Sequence, residues 1–132
     1  MGYAFGSSVL AITALFCLWT AGISGMKPRA FAARLGLAIA NPGGENEVRA
    51  QYAGFFLAVG SVCAAALLGL VPRQSALIVL AVVFGGLIAG RLVSLVLNGG
   101  VSGYGPAIRA LYAIDAAGFA VTLAALIVDK ST

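Results

Sequence analysis

Long stretches of this chain hold almost nothing but apolar residues, and the polar positions between them gather in short clusters rich in Gly, Pro, Asn and basic side chains. The first apolar run covers about 3–25 and includes Val9, Leu10, Ile12, Leu15, Phe16, Leu18 and Trp19. As a helix it is long enough to cross a hydrocarbon layer about 30 Å thick. Residues 1–10 carry no charged side chain, so a retained helix is expected rather than a signal peptide with a basic leader. The second run covers about 48–71 and stops at Pro72-Arg73-Gln74; the third follows at once, over about 75–98. From Asn98 to Pro106 the chain is dense in turn-forming residues, with Pro106 suited to the first position of a fourth helix over about 106–128. Short connections make the last three helices antiparallel neighbours. The expected fold is therefore all-α, an integral membrane four-helix bundle forming one domain.

The longest connector lies between the first two spans. Over about 28–40, Pro28 is followed by Phe31, Leu35, Ala38 and Ile39 on one helical face, with Lys27, Arg29 and Arg34 nearby. This spacing predicts a short amphipathic helix in the headgroup plane, ended by Asn41-Pro42-Gly43-Gly44. Lys27, Arg29 and Arg34 would share one membrane side with the 98–106 turn, and Arg73 and Lys130 the other with both termini. The excess of basic residues orients the connector toward the cytoplasm.

Composition agrees with a membrane solvent. Of 132 residues, 61% are hydrophobic and 9% charged, well short of the roughly one quarter charged in soluble domains. The net charge of +4 suits anionic lipid headgroups, and no basic stripe interleaved with aromatics points to nucleic acid. The chain has no His, and Cys17 and Cys63 lie inside apolar runs without metal-ligand spacing, so no metal or cofactor is expected.

Polar residues inside the spans carry the most information, because ionisable groups in hydrocarbon are costly. Arg91 lies seven residues before Asn98 and Asp115 nine after Pro106. At about 1.5 Å per residue, both sit roughly 10 to 14 Å from the same end of an antiparallel pair and are expected to form an ion pair. Ser94 and Asn98 share the face of Arg91, and Tyr112 lies one turn from Asp115. In the second span Glu45 and Arg49 are one turn apart, with Tyr52 deeper and Glu47 beside them; in the first, Thr13, Cys17, Thr20 and Ser24 form a stripe. These stripes are expected either to line a polar cavity or to bond the helices together. The candidate ligand-binding set is Glu47, Arg49, Tyr52, Arg91, Ser94, Asn98, Tyr112 and Asp115. Gly86 and Gly90, spaced for close helix approach like Gly60 and Ala64, predict tight internal packing, with homodimerisation as the alternative.

The segments Asn46-Glu47-Val48-Arg49-Ala50-Gln51-Tyr52-Ala53-Gly54 and Gly90-Arg91-Leu92-Val93-Ser94-Leu95-Val96-Leu97-Asn98-Gly99 carry a resemblance. From Asn46 to about Val128 the chain resembles a bacterial four-helix membrane family classed as a domain of unknown function, and more distantly looks like the small DoxX-type membrane proteins. The family pattern has glycine where Ala53 stands, Asp at Asn98 and Glu at Asp115, so the charge of a shared polar site differs here. The resemblance implies the fold, a multi-pass location in a bacterial inner membrane and weight on Glu47, Arg49, Arg91 and Asp115, and it brings no catalytic assignment.

Functionally, the sequence points to a membrane protein that binds a lipid or small anionic molecule in a polar cavity at one end of the bundle. The alternative is an accessory subunit of a larger membrane complex. No nucleophile with a base, phosphate loop or metal spacing supports an enzyme.

Overall fold

A computed structural model describes residues 2–130, with Lys130 as backbone only. Among these residues all regular structure is helical, without strands. Helix α1 is Gly2–Met26, α2 is Pro28–Arg34, α3 is Pro42–Leu67, α4 is Arg73–Leu97 and α5 is Pro106–Lys130. All but α2 are long and apolar enough to cross a membrane.

Prolines begin α2, α3 and α5, at a position where a missing N–H costs nothing. Asn41 does not end a connector helix as expected. Its Oδ1 accepts from Gly44 N at 3.1 Å, so Asn41-Pro42-Gly43-Gly44 opens α3 six residues before the expected start. The connector helix stops at Arg34 rather than near 40, and α3 stops at Leu67 rather than 71. The physical reason is the same at both ends. Gly36 and Gly69 take φ of +76° and +74°, and the next amide bonds back five residues, Leu37 N to Ala32 O and Leu70 N to Ala65 O. This left-handed closure caps the last carbonyls and is nearly free only for glycine. Within α3, residues Arg49–Gly54 widen into a π turn.

Two compact units make up the chain. One contains Leu10–Pro72. Here α2 turns its apolar face onto the protein: Pro28 and Ala32 are buried and Phe31 meets Tyr52 edge-on at 5.1 Å. Gly60 lets α3 close on α1, since a Cβ there would lie 3.0 Å from Leu18 and 3.2 Å from Cys17. Cys17 and Cys63 are free, buried thiols.

The other unit contains the chain up to Val9 and from Arg73 onward. Its centre is the α4–α5 hairpin, locked by two reciprocal ring-over-glycine contacts. A Cβ at Gly118 would lie 2.6 Å from the Phe84 ring, and one at Gly85 would lie 3.3 Å from Phe119. Gly86 and Gly90 do not make the expected internal packing; a Cβ at either meets nothing within 4 Å. The close approach uses the neighbouring glycine, about 100° around the helix. At the start of α4, Arg73 pairs with Asp129, with Nε donating to Oδ1 at 2.9 Å, and its guanidinium lies 4.0 Å above the Tyr3 ring.

These contacts predict opposite outcomes for two similar substitutions. Gly118→Ala forces the Phe84 ring to move and should cost about 1 to 3 kcal/mol. Gly86→Ala enters open space and should be neutral or slightly stabilising. Thermal unfolding of the two variants in detergent, followed by circular dichroism, checks the difference; equal midpoints would contradict the packing described here.

Candidate functional site

Asp115 is buried, with 4% of its surface exposed. Its Oδ2 accepts from Arg91 Nε at 2.5 Å, the pairing of α4 with α5 that the two residues' similar distances from the turn predict. The Arg91 guanidinium also lies 5.2 Å from the centre of the Tyr112 ring, whose hydroxyl donates to Arg91 O at 3.0 Å. Tyr112 stacks on Tyr104 at 6.0 Å, and the Tyr104 hydroxyl lies 2.8 Å from Ser94 Oγ. Asn98 Nδ2 donates to both, at 2.9 Å to Tyr104 and 3.1 Å to Ser94. That donation, followed by the Ser94 bond, holds the Tyr104 phenol below its ordinary pKa, because both bonds favour the phenolate.

Five of the expected residues, Arg91, Ser94, Asn98, Tyr112 and Asp115, thus form one network in one unit. Tyr104, which reaches back from the 98–105 turn, completes it. Sequence reading missed Tyr104 because it lies outside any helix, although a tyrosine six residues beyond Asn98 across a glycine-rich turn can return to the helix end. The network carries no net charge, since Arg91 and Asp115 neutralise one another.

The second set lies in the other unit. Glu45 uses both carboxylate oxygens, Oε1 accepting from Arg29 Nε at 2.6 Å and Oε2 from Arg49 Nη1 at 3.4 Å. Each arginine also ties down a backbone carbonyl. Arg29 Nη1 donates to Ile39 O at 3.0 Å, and Arg49 Nε to Gly25 O at 3.2 Å, near the C-terminal end of α1 where negative partial charge collects. The side chains of Arg29 and Arg49 remain 57% and 49% exposed. Tyr52 lies on the π turn against Phe31. Glu47 is exposed and makes no ion pair among the described residues.

Two members of the α1 stripe bond within their own helix. Thr20 donates to Phe16 O at 2.8 Å and Ser24 to Thr20 O at 2.7 Å, so these hydroxyls satisfy themselves on their own helix. Thr122 of α5 does the same with Gly118 O. Among the described residues no group of three His, Cys, Asp or Glu side chains could hold a metal ion.

The chain belongs to the family described as a domain of unknown function, DUF4345, whose family model matches residues 7–105. No curated protein and no solved structure matches it. The matched stretch holds the whole Arg29–Glu45–Arg49 cluster and Arg91, Ser94, Asn98 and Tyr104; Tyr112 and Asp115 fall beyond it.

Removing one partner of the Arg91–Asp115 pair leaves a charge or a cation site without compensation. Asp115→Asn is expected to lower unfolding free energy by about 3 kcal/mol, whereas replacing both residues by leucine should cost much less than the two single losses added together. A double-mutant cycle on stability in detergent measures this coupling, and strictly additive losses would refute it.

Proposed function

We propose that this member of the DUF4345 family is a multi-pass protein of a bacterial inner membrane that binds an anionic group, from a lipid or a small molecule, at Arg49 and Arg29. The single observation that supports this reading is the sharing of Glu45 by two half-exposed arginines. A lone pair such as Arg91 with Asp115 is already neutral. Two guanidiniums on one carboxylate retain a positive charge, and each keeps an Nη2 group that makes no hydrogen bond among the described residues. Guanidinium groups held in this way suit oxyanions, which they bind through charge-assisted hydrogen bonds. Tyr52, one turn after Arg49, meets Phe31, two residues after Arg29, and by the positive-inside rule the basic connector containing Lys27 and Arg34 favours the cytoplasmic leaflet for this end.

On this reading the Arg91 network holds the α4–α5 hairpin together, and its neutral polar groups form the hydrogen-bonding end of that hairpin. A second reading, an accessory subunit of a larger membrane complex or a homodimer, is favoured by the open surface at Gly86 and Gly90 of α4, a spacing that admits close helix approach.

Native mass spectrometry of the full chain, released from mild detergent with added anionic and zwitterionic lipids, tests the first reading. The wild type should retain anionic lipid over phosphatidylcholine, and Arg29→Gln with Arg49→Gln should reduce that preference about tenfold without loss of helicity. An unchanged preference in the folded double variant would sink it. A wild-type chain that carries no lipid and arrives bound to another protein would favour the second reading.

A further inference from the structure

Glu45 does more than hold two arginines in place: it sets the charge that a ligand meets. Its two oxygens face one guanidinium each, through Arg29 Nε and Arg49 Nη1, and both arginines are anchored a second time on Ile39 O and Gly25 O. The three side chains sum to one positive charge, two from the arginines less one from Glu45. A group carrying one negative charge brings the cluster to zero. A group carrying two leaves an uncompensated negative charge beside the Glu45 carboxylate, which is itself only 24% exposed.

We infer that this cluster binds the phosphodiester of an anionic phospholipid, and that Glu45 is the specificity-determining residue that disfavours doubly charged phosphomonoester headgroups. The inference rests on the anion-binding reading above and names its ligand class. A lipid rather than a free anion follows from where the cluster stands. Gly25 lies at the end of the spanning helix α1, and Glu45 and Arg49 lie in the first turns of the spanning helix α3, so the site is at headgroup level when the helices cross the membrane. The Phe31–Tyr52 pair beside it supplies the aromatic body and polar edge suited to that boundary. The cluster keeps its surplus of one positive charge at that level. This favours a headgroup with net negative charge over a zwitterionic one bearing its own cation.

The test compares phosphatidylglycerol, phosphatidic acid and phosphatidylcholine of equal chain length, bound to the full protein in mild detergent and read by native mass spectrometry. At pH 9 the phosphomonoester of phosphatidic acid approaches two charges, since it has a second ionisation that a phosphodiester lacks. The wild type should retain phosphatidylglycerol about tenfold over both other lipids. Glu45→Gln leaves two positive charges and should move the phosphatidic acid to phosphatidylglycerol ratio about tenfold toward phosphatidic acid, while Glu45→Asp restores the wild-type order.

Equal retention of phosphatidylglycerol and phosphatidic acid by the wild type, or an unchanged ratio in Glu45→Gln, overturns the role of Glu45. If Glu45→Gln fails to fold, the wild-type ratio alone decides. Displacement of phosphatidylglycerol by excess inorganic phosphate at matched ionic strength shows a free-anion site and overturns the lipid assignment. Failure of the wild type to prefer either anionic lipid over phosphatidylcholine is a different result, and it removes the anion-binding reading itself.

Discussion

A charge placed in hydrocarbon has no water to stabilise it and must find its counter-charge within the chain. Three of the four carboxylates, Glu45, Asp115 and Asp129, are each paired with arginine, while Glu47 stays exposed. On the α4–α5 hairpin the pairs come near each end, Arg91 with Asp115 and Arg73 with Asp129, with the Phe84–Gly118 and Phe119–Gly85 contacts between them. In helices apolar enough to cross a membrane, apolar side chains would gain little direction from surrounding lipid, so register has to come from features that lipid cannot satisfy. Buried ions and rings seated on glycine are such features. They explain how a hairpin whose outer surface is mostly valine and leucine holds one alignment.

The spans were legible because twenty or so apolar residues between turn signals leave few alternatives. The Arg91–Asp115 pairing was legible for a geometric reason: in an antiparallel hairpin, equal distance from the turn means equal depth. Other features depended on facts that spacing does not carry. Arg73 and Asp129 each stand at a helix end, where a charge ordinarily meets water, and nothing local couples residues 56 apart. Gly85 and Gly86 are adjacent in sequence, but only one can point at α5, and periodicity in an almost uniformly apolar helix does not say which. Gly36 and Gly69 lay inside apolar runs that appeared to continue, so their role as helix stops was visible only in the backbone.

The candidate site was legible as residue types and less so as an arrangement. Glu45 and Arg49 are a turn apart and were expected to associate, but Arg29 lies 16 residues before Glu45 and reaches it only because α2 stops early and the chain folds back to Asn41. Tyr104 entered the Arg91 network by the same kind of return. The hydroxyls of Thr20 and Ser24, expected either to line a cavity or to bond the helices together, each donate to a carbonyl of their own helix, as Thr122 also does. A polar stripe on a membrane helix therefore says little about a cavity until its backbone bonds are counted.

Whether a buried or half-buried arginine serves structure or binding can be argued from the charge around it. Arg91 has one carboxylate, largely hidden from solvent, and the pair is neutral; any further anion there would leave a net negative charge in the span. Arg73 likewise has a carboxylate partner, Asp129. At Arg29, Glu45 and Arg49 the ratio is two cations to one anion, the guanidiniums remain half exposed, and the surplus lies at a helix end. On the α4–α5 hairpin Arg73 and Arg91 each have a carboxylate partner, while Arg109 donates to the Val101 carbonyl. The proposed anion-binding role therefore falls to the cluster in which two half-exposed guanidiniums share one carboxylate, rather than to the neutral pair of the more deeply buried arginine.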